Sequence, residues 1–116
     1  MTLQVNPAWL VDEVTVEKRI GEGDYNKPEY AKPIKLERVR VDLSKQYSGT
    51  GNDRTIAANA TVFLYAKFTS SFPDDIDDSW LKARVTYLGH QYQIVDWSFF
   101  HEPTSAKPFS IELKVI

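Results

Sequence analysis

Apolar and polar residues alternate along about six runs of the chain, and such a period of two predicts an all-β fold in which helix is a minor component. The runs begin at Asp12, Ile34, Ala60, Ala83, Gln91 and Phe109. Residues 83–99, ARVTYLGHQYQIVDWSF, hold two of them around a tight turn. With Gly89 and His90 as the central residues of a type II′ turn, Tyr87 faces Tyr92 and Val85 faces Ile94 on an apolar side. Leu88 then meets Gln91, and Thr86 meets Gln93, on a mostly polar side. Val85, Tyr87, Gly89, Tyr92 and Ile94 therefore read as structural residues of a hairpin. Beyond Asp96 the apolar phase moves to Val95, Trp97 and Phe99, which predicts a bulge or a strand packed on both faces.

The remaining runs differ in their punctuation. Asn6-Pro7 before Ala8-Trp9-Leu10 suits a single helical turn or an extended arm. In 12–20, Val14, Val16 and Ile20 lie opposite Glu13, Thr15, Glu17 and Arg19, the pattern of a first strand. Gly21, Gly23, Asp24, Asn26 and Pro28 make a long, mobile connection, with Pro33 holding Lys32 extended. In 34–43 the phase jumps from Ile34 and Leu36 to Val39, Val41 and Leu43, so a bulge is expected near Glu37. In 60–68 apolar residues occur on both faces, as in a central strand; 109–115 alternates strictly and closes the sheet.

Residues 44–59 hold almost no large apolar side chain, so they are expected to form a flexible loop between the second and third strands. Loops of this length in compact domains are usually functional or disordered. Ser44, Lys45, Gln46, Tyr47, Ser48, Gly49, Thr50, Gly51, Asn52, Asp53 and Arg54 are accordingly the candidate working segment. Lys45, Tyr47 and Arg54 are its contact-forming side chains.

At 116 residues the chain suits one domain with an adequate core of its own. It has no cysteine, which excludes a disulfide framework, a thiol nucleophile and a cysteine-type zinc site. No signal-peptide pattern or membrane-spanning run is present, so no membrane partner is expected. Fourteen basic and sixteen acidic residues give a formal charge of -2, without the broad basic footprint of a nucleic-acid binder. Asp74, Asp75, Asp77 and Asp78 lack the spacing of an EF-hand loop; a short helix with Ile76 and Trp80 on one side is the better reading. His90 and His101 form no triad pattern, and no phosphate-cradling glycine motif occurs. No catalytic residue, metal ligand or cofactor is thus assigned. Trp9, Trp80, Trp97 and the tyrosines could stack on sugars or single-stranded nucleic acid, but several sit at inward strand positions and read as core.

The order of elements resembles the small minor capsid proteins of tailed phages and prophages of Gram-positive hosts, which act at the head–tail junction. The likeness runs through Val14-Thr15-Val16-Glu17, Leu36-Glu37-Arg38-Val39-Arg40-Val41, Ala60-Thr61-Val62-Phe63-Leu64-Tyr65, the hairpin with its Gly89, Tyr92 and Ile94, and 109–115. Ala106-Lys107-Pro108-Phe109 and Trp80-Leu81 depart from the usual pattern. The resemblance implies a small antiparallel β-barrel that joins a ring under the portal, without catalysis, its 44–59 loop reaching into the DNA channel. It further implies portal or adaptor and tail-completion partners, non-specific contact with packaged DNA, and a place in the virion after assembly in the host cytoplasm. A single-stranded nucleic-acid or carbohydrate-binding barrel is the alternative, and an enzyme ranks last.

Overall fold

A computed structural model describes residues 7–22, 28–49 and 55–116. Numbered in chain order, its strands are β1 (Asp12–Glu17), β2 (Arg19–Glu22), β3 (Pro28–Tyr30), β4 (Ile34–Asp42), β5 (Gln46–Ser48), β6 (Thr55–Ala58), β7 (Ala60–Tyr65), β8 (Arg84–Tyr87), β9 (His90–His101) and β10 (Pro108–Val115). Six of them close into an antiparallel barrel in the order β1-β4-β7-β10-β9-β8, as the alternating runs predict. The others form two separate ribbons, β2-β3 and β5-β6. Among the described residues helix is confined to short 3-10 turns at Pro7–Trp9 and Asp78–Trp80.

Alternate residues of each barrel strand point inward, and Val14, Val16, Leu64, Val85, Ile94 and Leu113 lose almost all solvent contact. β4 departs from this rule in a useful way. Leu36 and Val39 are both fully buried although three residues apart, which a regular strand cannot achieve. Asp12 pairs with Val39 while Glu13 pairs with Glu37, leaving Arg38 as the extra residue at φ 60°. This is the bulge that the phase jump near Glu37 predicts. The second one is also present: Lys114 pairs with Asp96 but Val115 with Ile94, so Val95 bulges out and Trp97 and Phe99 return to the core side.

The β4 bulge leaves backbone groups without a strand partner, and the turn after β7 supplies them. Thr69, itself buried, accepts from the Tyr65 N–H at 2.9 Å and donates to the Arg38 carbonyl at 2.9 Å. Ser70 donates its N–H to the Glu37 carbonyl at 3.2 Å and accepts from the Glu37 N–H at 3.0 Å. The chain then crosses the barrel end, where Phe72, Ile76, Trp80 and Leu81 join the core. Asp77 caps the turn there by accepting from the Ser79 N–H at 2.9 Å.

Several sequence expectations need correction. The hairpin turn has Leu88 and Gly89 as its central residues, at φ 49° and 80°, which is the type I′ geometry rather than type II′. Tyr87 therefore pairs with His90, Val85 with Tyr92 and Arg84 with Gln93. The register is two residues from that expected, and an even shift keeps Val85, Tyr87, Tyr92 and Ile94 on the core side. The first strand ends at Glu17, not Ile20, because the chain leaves the barrel at Lys18 and starts a ribbon; Ile20 is 64% exposed. The connection expected to be irregular holds β3, and the 44–59 loop holds β5 and β6.

Two outcomes test this fold. Leu88→Asn places a residue that tolerates φ > 0 in the turn, and should raise stability by about 1 kcal/mol in thermal melting. Thr69→Val keeps the shape but strips partners from the Arg38 carbonyl and Tyr65 N–H, and should cost about 1–3 kcal/mol in denaturant unfolding.

Candidate functional site

Both ribbons extend barrel hairpins. β4 pairs with β7 as far as Asp42 and Thr61, and β5-β6 resumes the pairing at Gln46 and Ala58. β1 pairs with β4 as far as Val16 and Ile34; β2-β3 resumes at Arg19 and Tyr30, after the Ala31 N–H donates to the Lys18 carbonyl at 2.7 Å. The ribbons thus leave opposite ends of β4.

The candidate loop residues fall along the first ribbon. Ser44 and Lys45 are exposed at its root; Gln46, Tyr47 and Ser48 make β5, with Tyr47 51% exposed; Gly49 leaves the strand at φ 89°. Thr50, Gly51, Asn52, Asp53 and Arg54 lie outside the described residues, as does Asn6. At the root the Ser44 N–H donates to Asp42 Oδ1 at 2.9 Å, and hydrogen bonding from Ser44 holds the Asp42 carboxyl below the ordinary carboxylate range. Asp42 is the last strand residue before the chain turns into the ribbon.

The second ribbon is tied to the barrel by a stack that sequence reasoning missed. Arg84 on β8 makes a bidentate pair with Glu17, at 3.1 and 3.0 Å, and its guanidinium lies 4.1 Å from the centroid of the Tyr30 ring. The hydrogen bond to Glu17 holds the guanidinium charged even more firmly than usual. Lys18 sits over Trp80, 5.3 Å from its ring centroid. Glu17 and Arg84 are 67 positions apart, so no local signal could reveal the pair. Beside it, Tyr30, Lys82, Arg84, Gln91, Tyr92, Gln93 and Ile116 line an open cleft of about 230 Å³.

The other chemistry raised by the sequence does not converge. Asp74, Asp75, Asp77 and Asp78 are exposed, Asp78 accepts from the Trp97 indole N–H at 3.2 Å, and among the described residues no acidic or histidine cluster suits a metal ion. His90 and His101 are exposed and lie at opposite ends of β9. Of the aromatic residues considered for a stacking platform, Trp80 is only 2% exposed and Trp97 packs against the core.

The profile of a family described as "Minor capsid protein" matches residues 7–115, every barrel strand included. The chain belongs to the minor capsid protein family. Uncharacterized protein ORF5 of Lactococcus phage LL-H is 27% identical over 107 residues, covering 88% of this chain and 90% of the relative. Uncharacterized protein ORF5 of Lactococcus phage mv4 is 29% identical over 94 residues, covering 77% and 82%. This minor capsid protein is a structural component of a phage virion, and its relatives come from phages of a Gram-positive host.

Where β1, β4 and β8 meet, the Asp12 carboxylate accepts from the Val41 N–H at 3.0 Å and from the Tyr87 hydroxyl at 2.9 Å. The bond to Asp12, then burial, raises the Tyr87 pKa. A raised folded value means that Tyr87 stabilises the fold fully below its unfolded pKa of about 10, and that this contribution disappears as pH rises through the higher folded value. Burial raises Tyr65 as well, so ultraviolet titration should find two late-ionising tyrosines among the described residues, one of which is missing in Tyr87→Phe and shifts downward in Asp12→Asn.

Proposed function

We propose that this minor capsid protein is a head-closure or connector subunit: a ring of barrels at the head–tail junction whose β5-β6 ribbons line or seal the DNA exit channel. The observation that carries this reading is the ribbon itself, a two-stranded extension of the β4-β7 hairpin outside a closed barrel. A barrel closed on itself makes a rigid mount, and a two-stranded ribbon retains unpaired backbone edges that copies around a ring can pair. Portal or adaptor proteins would lie on one side of the ring and a tail-completion protein on the other. Lys45, Tyr47 and Arg54 would touch neighbours or DNA phosphate without reading sequence. A formal charge of -2 suits a channel through which DNA slides without sticking. No residue has a catalytic role in this reading.

Replacing residues 46–53 by a short Gly-Ser linker tests it. The variant should keep a folded barrel of nearly unchanged melting temperature, while heads package DNA but leak it or fail to take tails. Normal infectious particles would show that the ribbon is only a linker.

A further inference from the structure

Among the described residues, two surfaces carry apolar side chains that are only partly covered: Phe63, Tyr65 and Phe109 half-buried beside an exposed Phe100, and Ile20 exposed. The first is the outer face of the barrel over β7 and its neighbours. β7 carries apolar residues on both faces, but only Ala60, Val62 and Leu64 enter the core; Phe63, Tyr65, Phe100 and Phe109 stand outside it. Cross-strand pairing sets Arg40 beside Phe63 and Glu112 on its other side, and Tyr65 across Ser110 from Phe100. Phe100 is 44% exposed, and Phe109 meets Tyr65 edge-on at 6.0 Å. Aromatic residues with an arginine are the composition of a protein–protein contact rather than of a solvated barrel wall. Arg38 and Arg40 are exposed and make no ion pair among the described residues.

The second surface is the β2-β3 ribbon. A two-stranded sheet in water is marginal unless something packs on it, and this one carries Ile20 at 64% exposure beside acidic Glu29. The Tyr30–Arg84 stack ties its root to β8, three strands around the barrel from β7, so it is turned away from the aromatic face of its own chain.

We propose that the β2-β3 ribbon of one copy lies across the outer face of β4, β7 and β10 of a second copy, with Ile20 against Phe63 and Tyr65 and Glu29 toward Arg38 and Arg40. Complementary charge, with the exposed apolar side chains Ile20 on one surface and Phe100 on the other, selects a second copy as the occupant. Donor and acceptor are different surfaces, so the contact is head to tail and propagates from copy to copy. The inference deepens the ring reading, but its test uses the isolated protein and does not depend on what the β5-β6 ribbon does.

Because the chain has no cysteine, introduced thiols report contacts without background. Ile20→Cys combined with Phe63→Cys, oxidised mildly at high protein concentration, should give a ladder of covalent dimers, trimers and larger species. Ile20→Cys with Thr86→Cys, whose second site lies on the opposite side of the barrel, should give at least tenfold less. Tyr65→Cys replaces Phe63→Cys if the latter alters the melting curve. Arg40→Glu should weaken the ladder, and adding Glu29→Arg should restore it. A ladder no stronger than the control, one indifferent to Arg40→Glu, or a cyclised monomer would each overturn the proposal.

Discussion

The barrel depends on how β4 serves two neighbours whose pairings are out of phase. It pairs with β1 as far as Val39 and with β7 from Arg40 on, and the Arg38 bulge within the β1 ladder turns both Leu36 and Val39 inward. Short strands close into a barrel only when tilted and staggered, and a bulge supplies the extra twist locally. The cost is a set of backbone groups withdrawn from the ladder beside a buried core, where an unpaired group is expensive. Thr69 and Ser70 meet that cost with four hydrogen bonds to β4 and β7. The Val95 bulge lies on β9, three strands away around the barrel, and does for Ile94 and Trp97 what Arg38 does for Leu36 and Val39.

Both bulges were legible because they break a strong alternation: the core requires Leu36 and Val39, and Ile94 and Trp97, on one side, and only an extra residue allows it. The six barrel strands were legible for the same reason. The ribbons were not, since a short two-stranded sheet set off from the barrel core needs no hydrophobic period. Ile20 misled directly, continuing the phase of Val14 and Val16 past the point where the barrel ends. The hairpin turn was misread because a leucine at φ > 0 is costly, which favoured placing Gly89 first. Of the candidate site, the loop's position between the second and third barrel strands was readable from composition. The Glu17–Arg84–Tyr30 stack was not, because its members come from three distant segments.

Left-handed backbone at Arg38, Lys82 and Leu88 marks three different situations. Arg38 is held by the Thr69 bond to its carbonyl. Lys82 is held where β8 begins: its N–H donates to the Ile94 carbonyl at 2.8 Å, and the next carbonyl, that of Ala83, accepts from the Ile94 N–H at 2.9 Å. In both places fixed hydrogen bonds over-determine the conformation and offset its cost. Leu88 has only the turn to hold it, and its side chain is 78% exposed. Strain at Arg38 and Lys82 belongs to barrel closure; at Leu88 closure explains the turn but not the choice of leucine.

Closure also decides where this chain can pair with another. A closed barrel has no free strand edge, so its wall cannot be extended by strand addition. Among the described residues the unclosed sheets are the β2-β3 and β5-β6 ribbons, and each is a barrel hairpin carried on past its last barrel pair. The edges of these two ribbons thereby lie at opposite ends of β4, while the barrel wall over β7 offers side chains. The two surfaces obey different physics: a ribbon edge recruits backbone and tolerates many sequences, whereas the wall over β7 depends on the shapes of Phe63, Tyr65 and Phe100. A substitution in the wall should therefore act through the identity of the side chain, and one in a ribbon chiefly through whether the backbone can still pair.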